Sequence, residues 1–284
     1  SIDDSYSKHI EDTVNAGDGM CDLEAVNILV KEAPARIFDL ICMGVDFDRL
    51  TDNALQFTRE GGHTGRRVIH VGDMTGKAIE SALWDSVRKK NLKVSDHRMV
   101  TKLLVKNNVC YGVESLAKNG AVVRSFAKCV FLATGGAGQL FSKTTNPEIA
   151  TGDGFVMAHR AGAKIDNLEF IQFHPTALML KGAPSFLISE ATRGEGALLL
   201  NSKKERFMDQ YHRMAELAPR DIVSRAIVSE LEKSGDDYVF LDLTHKGREF
   251  VESRFPTITG TLSEYDLHPG EDLIPVAPAA HYMC

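Results

Sequence analysis

The sequence predicts a mixed α/β fold: a nucleotide-binding region carrying an antiparallel meander, followed by a helix-rich α+β region. Helical periodicity dominates up to Lys90, strand-like runs fill Met99 to Ala133, and helices alternate with strands from residue 172 to 282. A chain of 284 residues with 43% hydrophobic and 25% charged residues has an ordinary globular composition. It is long enough to bury about three quarters of its unfolded surface.

The first helical stretch spans residues 5 to 43. Asp22 is placed as an N-cap before Leu23, Ala25-Val26 and Ile28-Leu29-Val30, and a kink is expected at Pro34. A second helix begins near Thr75, where Ile79, Leu83 and Val87 recur every fourth residue and form one apolar stripe up to Lys90. Between them, residues 57 to 67 are polar, charged and glycine-rich, the composition of a surface loop able to carry function. Strands follow at Val100–Val105, Cys110–Ser115, Val122–Lys128 and Cys129–Leu132, broken by Asn107-Asn108 and the hairpin signal Asn119-Gly120. The last of these is expected to be a buried strand ending at Thr134-Gly135-Gly136. Farther on, Pro219 opens a helix whose apolar face is Ile222-Val223, Ala226-Ile227 and Leu231 and which stops at Gly235. Tyr238–Leu243 alternates as a strand, Thr244 is expected to cap another helix, and Pro256 to end it.

Composition narrows the function classes. Lysine and arginine number 33 against 39 acidic residues, a net charge of −6, and basic runs go no further than Arg66-Arg67 and Arg88-Lys89-Lys90, so nucleic acid is not an expected partner. Apolar runs such as Cys129–Ala133 and Ala197–Leu200 fall far short of the roughly 20 residues of a membrane helix. The 5 cysteines form no CxxC pair and are odd in number, which suits a reducing compartment, and a cytoplasmic protein without a metal site is expected. Ser1–His9 has neither the basic region nor the apolar core of a signal peptide.

A dinucleotide fingerprint needs G-x-G-x-x-G, so that backbone can approach a pyrophosphate at a helix N-terminus. The sequence never completes it: Gly17-Asp-Gly19, Gly136-Ala-Gly138, Gly152-Asp-Gly154 and Gly194-Glu-Gly196 all lack the third glycine and read as turns. Ala133-Thr134-Gly135-Gly136 is more specific, because it would bring bare backbone against a ligand at the end of a strand. Asp153 heads an apolar helical run, where it could cap the helix or accept hydrogen bonds from a ribose or flavin.

Read together, the motifs resemble a family. Arg59-Glu-Gly-Gly-His63 with Arg66-Arg67, Ala133–Gly136, Thr145-Asn-Pro147, Thr151-Gly-Asp-Gly154, Asn167 to Thr176 ending in Gln172-Phe-His-Pro-Thr176, Ser189 to Gly196 with Arg193-Gly-Glu-Gly196, Leu217-Ala-Pro-Arg-Asp221 and Pro278-Ala-Ala-His-Tyr282 occur in family order. They resemble the L-aspartate oxidases within the wider family of succinate dehydrogenase and fumarate reductase flavoproteins. Gln-Phe-His-Pro-Thr and Arg-Gly-Glu-Gly are common to all branches. Arg-Glu-Gly-Gly-His, Leu-Ala-Pro-Arg-Asp and Pro-Ala-Ala-His-Tyr look like the oxidase branch. Ser189 stands where the oxidases usually have threonine, and Met283 departs from the usual residue. By this resemblance the chain matches the middle of a longer enzyme. The glycine-rich first strand would lie upstream of Ser1, and later flavin-contacting segments and a substrate arginine would lie beyond Cys284.

The resemblance implies an FAD-binding domain portion over residues 1–171, an inserted helix-rich capping domain over 172–282, and the start of a return at 283–284. It implies FAD as cofactor, held in part by Ala133, Thr134, Gly135, Gly136, Thr145, Asn146 and Asp153. The implied reaction is hydride transfer from the α-carbon of L-aspartate to the flavin, giving iminoaspartate, with oxygen or fumarate as acceptor. That is the first step of de novo NAD biosynthesis, with quinolinate synthase as the enzyme taking the product.

Aspartate presents two carboxylates and an ammonium, so its site needs convergent donors and one acceptor. His174 and His281 could each donate to a carboxylate; a single histidine is more often structural, and only the resemblance reverses this. Arg220 could bind a carboxylate bidentately and, in fumarate reduction, deliver a proton; the alternative is an ion pair with Asp221 or Glu216. Glu60 is the acceptor assigned to the ammonium, which would separate aspartate from succinate; the alternative is a pair with Arg59 or Arg66. Gln172, Thr176, Ser189, Glu190 and Arg193 join them as substrate-binding candidates or as scaffold. A succinate dehydrogenase or fumarate reductase flavoprotein subunit, and a flavin-free fragment without activity, are the alternative readings.

Overall fold

The computed structural model describes residues 4–60 and 62–283, with the side chain of Met283 left aside. Gly61 of the Arg-Glu-Gly-Gly-His motif and Cys284 of the expected return lie outside the described residues, as does the side chain of Met283.

Helices α1 (Tyr6–Ala16) and α2 (Leu23–Cys42) open the chain. Their starts are set by local chemistry. The hydroxyl of Ser5 accepts from the Lys8 amide, and the Asp22 carboxylate accepts from Glu24 and Ala25 at 2.8 and 3.2 Å, satisfying amides that the first turn leaves without partners. Helix α2 runs on through Pro34. Strands β1 (Phe57–Thr58) and β2 (Val68–Ile69) pair antiparallel, so the glycine-rich segment between them is the loop of a short hairpin. Helix α3 (Thr75–Lys89) follows and half-buries Ile79, Leu83 and Val87, the stripe expected from their spacing.

The meander is β3 (Arg98–Lys106), β4 (Val109–Ala117) and β5 (Val122–Phe126), in that spatial order. Asn107 and Asn108 both take positive φ, 52° and 59°, the backbone that a two-residue hairpin turn between right-twisted strands requires. The buried strand expected at Cys129–Leu132 is not formed. The segment carries no ladder, and Phe131 is 93% exposed. An apolar run becomes a buried strand only when a neighbour pairs with its backbone, and no described strand does so here. Helix α4 (Asp153–Arg160) starts after Gly152, which holds φ of 77° as the N-cap, so Asp153 lies inside the helix and does not cap it. Its carboxylate accepts instead from the Thr151 hydroxyl at 2.9 Å.

The remaining elements are β6 (Ile171–Leu178), α5 (Ala191–Gly194), β7 (Leu198–Leu200), α6 (Arg220–Ser234), β8 (Val239–Asp242), α7 (Arg248–Arg254), α8 (Pro256–Ser263) and β9 (Ile274–Met283). Pro219 sits at the N-cap of α6 and Gly235, with φ of 77°, ends it. The expected cap at Thr244 is corrected. Thr244 donates through its amide and hydroxyl to Asp242 and begins a short 3-10 turn, and α7 starts only after Gly247, without a side-chain cap. Pro256 both ends α7 and opens α8, because its missing N–H and fixed φ suit a first helical position.

The chain divides into two compact units: Ser1–Asn91 with Pro175–Pro278, and Leu92–His174 with Ala279–Cys284. This partition differs from the 1–171 and 172–282 division that the resemblance implies. The four-stranded sheet has the order β6-β9-β8-β7, and in the first unit one core gathers Ile188, Leu199, Phe207, Met208, Val223, Ile227, Leu241, Phe255 and Ile274, all 1% exposed or less. Each such side chain contributes about 1.5 to 3 kcal/mol by leaving water, which fixes the backbone from which the polar side chains described below project.

Candidate functional site

A chain of alternating charges runs through the first unit. Glu190, at the N-cap of α5, has a side chain 5% exposed, and its Oε2 accepts a short hydrogen bond from Nε of Arg220 in the first turn of α6. The other face of that guanidinium reaches the loop after β1, where Nη2 lies 3.9 Å from Oε2 of Glu60. Glu190 Oε1 lies 3.5 Å from Nη2 of Arg193, which is fully buried and donates from Nη1 to the Glu216 carbonyl at 2.7 Å. The Glu216 carboxylate takes both Nε and Nη2 of Arg206, at 3.0 and 2.6 Å, and the Leu199 amide. Glu60, Glu190 and Glu216 thus each lie within 4 Å of a guanidinium, and for Glu190 and Glu216, whose side chains are 5% exposed, this pairing is what buried charge requires.

The structure therefore brings Glu60, Glu190, Arg193 and Arg220 together from segments far apart in sequence. Arg220 does not pair with Asp221, which binds Arg225, or with Glu216, which binds Arg206. Glu60 meets Arg220 rather than Arg59 or Arg66. Burial pushes the Glu60 carboxyl above the ordinary glutamate range, and the negative charge of Glu190 adds to this, while Arg220 and Arg193 pull it back. Burial also lowers the Arg193 guanidinium, offset by Glu190.

Thr176 and Ser189 frame this cluster through backbone pairing. The Thr176 hydroxyl donates to the Ile188 carbonyl at 2.8 Å, and Ile188 returns its amide to the Thr176 carbonyl at 2.9 Å. Ser189 accepts from the Ala191 amide through its hydroxyl and from the Thr192 hydroxyl through its carbonyl, which shapes the turn that presents Glu190.

The loop carrying Glu60 is tied down by residues that sequence reasoning did not single out. Arg67 donates to both oxygens of Asp4 at 2.7 Å and to Asp12 at 2.6 Å, all with side chains 10% exposed or less. Asp12 also accepts from the amide and hydroxyl of Thr64. Arg66-Arg67 stands out in the sequence as a basic run and as a companion of the Arg59–His63 motif, and the anchoring role of Arg67 depends on partners more than fifty residues away. His63 of the same loop stands edge-on to His9, with burial lowering both imidazoles.

The second unit carries a different set. The rings of His174 and His281 meet edge to face, centroids 5.3 Å apart, and His174 is 1% exposed. The Thr145 hydroxyl lies 2.7 Å from Nδ1 of His281, and Asn146 donates from Nδ2 to the His281 carbonyl at 2.6 Å. Gln172 is half-buried two residues before His174. Ala133, Thr134 and Gly135 are exposed, Gly135 holds φ of 73°, and nothing lies within 4 Å of where its Cβ would be. Behind them the first turn of α4 presses on Thr134 so closely that a Cβ on Gly154 would sit 1.8 Å from the Thr134 hydroxyl. Bare, exposed backbone on a tightly packed helix start is an arrangement that polar groups of a large ligand can approach. Among the described residues no group of side chains could hold a metal ion, and no helix is long and apolar enough to cross a membrane.

Comparison with known proteins finds relatives along nearly the whole chain. The chain is 47% identical to L-aspartate oxidase 2-b, chloroplastic, of Nicotiana tabacum over 99% of its own length and 46% of the relative's. It is 45% identical to the L-aspartate oxidase of Streptomyces coelicolor over 98% of its length and 50% of the relative's. It thus spans about half the length of the curated relatives it matches. Among solved structures, E. coli quinol fumarate reductase superimposes with a TM-score of 0.91 at 31% identity, covering 99% of this chain and 51% of that one. The mixed α/β architecture with antiparallel sheets is that of the fumarate reductase flavoprotein. The FAD binding domain family is matched over residues 1–284, and the chain, from its glycine-bearing turn to its buried arginines, belongs to that family.

Proposed function

We propose that this chain is part of an FAD-dependent L-aspartate oxidase, which converts L-aspartate to iminoaspartate with oxygen or fumarate as electron acceptor. The observation that carries the reading is the Glu60–Arg220 approach of 3.9 Å beside buried Glu190. A carboxylate acceptor next to a guanidinium donor matches an α-amino acid, with ammonium and carboxylate on the same carbon, better than it matches a dicarboxylate without an amine.

FAD is the cofactor that the family implies, and the residues present fit it. Ala133, Thr134 and Gly135 offer exposed backbone and Gly136 is half-buried beside them, and the Gly154 contact leaves no room for a side chain that would push that backbone away. These residues, with Asn146 and Asp153, would hold it. When bound, FAD supplies the two-electron oxidant.

The protein's own groups do the rest. Arg220 neutralises and orients a substrate carboxylate, and its partner Glu190 keeps the guanidinium in one rotamer. Glu60 accepts from the ammonium, and its neighbours hold it as the one carboxylate of the cluster shared least with guanidinium groups. We assign His174 and His281 to carboxylate binding, and Gln172, Thr176, Ser189 and Arg193 to substrate binding. In fumarate reduction Arg220 gives the proton. Iminoaspartate hydrolyses readily in water, so a consuming enzyme of the quinolinate synthase type is the proposed functional partner. Cys21, Cys42, Cys110 and Cys129 are free thiols, in keeping with a reducing compartment such as the cytoplasm.

The likeness to quinol fumarate reductase favours a second reading, a succinate dehydrogenase or fumarate reductase flavoprotein subunit. The full-length FAD-loaded protein decides between them. Reduction of the flavin by L-aspartate under anaerobic conditions, lost selectively in Glu60→Gln, supports the oxidase; reduction by succinate that Glu60→Gln leaves intact supports the second reading.

A further inference from the structure

We propose that Thr145 is a positioning residue for His281: its hydroxyl donates to Nδ1 and so keeps the imidazole proton on Nε2. This role rests on the dicarboxylate-binding reading of His281 above, and it differs from the FAD contact that the resemblance implies for Thr145.

The geometry comes from a short lattice between residues 143–146 and the end of β9. Thr144 and Ala280 form a parallel bridge, and the Ala280 amide donates to the Lys143 carbonyl at 2.9 Å. The Ala280 carbonyl accepts from the Thr144 hydroxyl at 2.8 Å and from the Thr145 amide at 3.1 Å. Asn146 holds the His281 carbonyl at 2.6 Å, and the Asn146 amide is itself held by the Thr144 hydroxyl at 3.1 Å. Backbone on both sides of the imidazole is therefore fixed before its ring makes any contact. Gly138 completes the lattice, since a Cβ there would meet Asn146 Oδ1 at 2.2 Å and Thr144 Oγ1 at 2.5 Å.

Within this lattice, counting lone pairs supports the donating direction for the hydroxyl. A carbonyl oxygen has two, and those of Ala280 are taken by Thr144 and Thr145's own amide. Nδ1 of His281, at 2.7 Å, is the acceptor that remains in contact with the Thr145 hydroxyl. A neutral imidazole has one proton, and an Nδ1 that accepts leaves it on Nε2. The ring then presents an N–H donor to a carboxylate without first taking up a proton, and His174, packed edge-on at 5.3 Å, limits the rotation that would exchange the two nitrogens.

The test uses nitrogen-15 NMR of His281 in the full-length FAD-loaded protein, together with succinate affinity, for the parent, Thr145→Val and Thr145→Ser. The Nε2–H tautomer in the parent, its loss in Thr145→Val with about five- to tenfold weaker succinate binding, and recovery of both in Thr145→Ser are the expected results. An Nδ1–H tautomer in the parent overturns the proposal, as does a Thr145→Val protein that keeps the tautomer or that loses FAD instead. A parent that shows the Nε2–H tautomer, lost in Thr145→Val, yet binds no dicarboxylate supports the positioning role and overturns the functional reading alone.

Discussion

Arg220 Nε donates to the buried Oε2 of Glu190, a partner thirty residues earlier in the chain, and this bond sets the guanidinium whose other edge lies 3.9 Å from Glu60. Breaking it takes one of two guanidinium partners from a carboxylate that is 5% exposed, the other being Arg193 at 3.5 Å. Arg220→Ala is expected to lose activity and also about 1 to 3 kcal/mol of stability, because Glu190 stays buried with Arg193 as the guanidinium left facing it. Glu190→Gln in the same background should recover most of the stability and none of the activity. Urea unfolding of the three proteins checks this.

Glu60 predicts a pH signature. Its carboxyl is raised in the folded protein, chiefly by burial, so the charged form is disfavoured on folding. The sign follows from linkage: the stability attached to this group is fully present below the unfolded glutamate pKa and is lost as pH rises through the raised folded value. Glu60→Gln should therefore match the parent in melting temperature in acid and exceed it near neutrality. Affinity for L-aspartate should move the other way, weakening in the parent as pH falls through that raised value, because the ammonium needs the carboxylate. A melting series from pH 4 to pH 8 in roughly half-unit steps, beside aspartate binding, reads both.

The Arg67–Asp4–Asp12 cluster anchors the loop on which Glu60 sits. Asp4 is lowered chiefly by its bond to Arg67. For Asp12 burial is the largest influence and acts upward, but the Thr64 and Arg67 hydrogen bonds outweigh it and leave the carboxyl lowered. Both contribute stability that is present above the unfolded aspartate pKa and lost as pH falls through the folded values. Arg67→Met should cost about 3 kcal/mol at neutral pH, flatten the acid limb, and speed hydrogen exchange at residues 62–67.

Gly154 is expected to refuse a side chain. A Cβ at 1.8 Å from the Thr134 hydroxyl forces α4 away from the exposed turn, so Gly154→Ala should destabilise by about 1 to 3 kcal/mol and weaken FAD binding. Thr134→Ala removes the nearest clashing atom but keeps its Cβ, 2.8 Å from the added methyl, so the double variant should regain part of the stability. Calorimetry with flavin fluorescence titration follows both quantities.

What was legible in the sequence was local. Asp22, Pro219 and Gly235 mark helix ends because capping acts within a few residues, and Asn107-Asn108 marks a turn because the backbone there needs positive φ. The apolar face of α6 followed from spacing alone. Cys129–Leu132 misled because its apolar composition matches a strand, whereas a strand also needs a partner that composition does not name. The motif residues His174, His281, Glu60 and Arg220 were found through family resemblance. Their pairings were not legible: Glu190 with Arg220, Glu216 with Arg206 and Asp12 with Arg67 join residues by side-chain geometry that no period in the sequence encodes.

The central claim is that Glu60 beside Arg220 selects an amino acid. It is tested most directly by anaerobic titration of the full-length FAD-loaded protein with L-aspartate and with succinate, in the parent and in Glu60→Gln. The account predicts flavin bleaching by L-aspartate in the parent and a loss of about 10- to 100-fold in aspartate efficiency in Glu60→Gln, with any response to succinate unchanged. Equal bleaching by L-aspartate in the two proteins, or bleaching by succinate and not by L-aspartate in the parent, would contradict it.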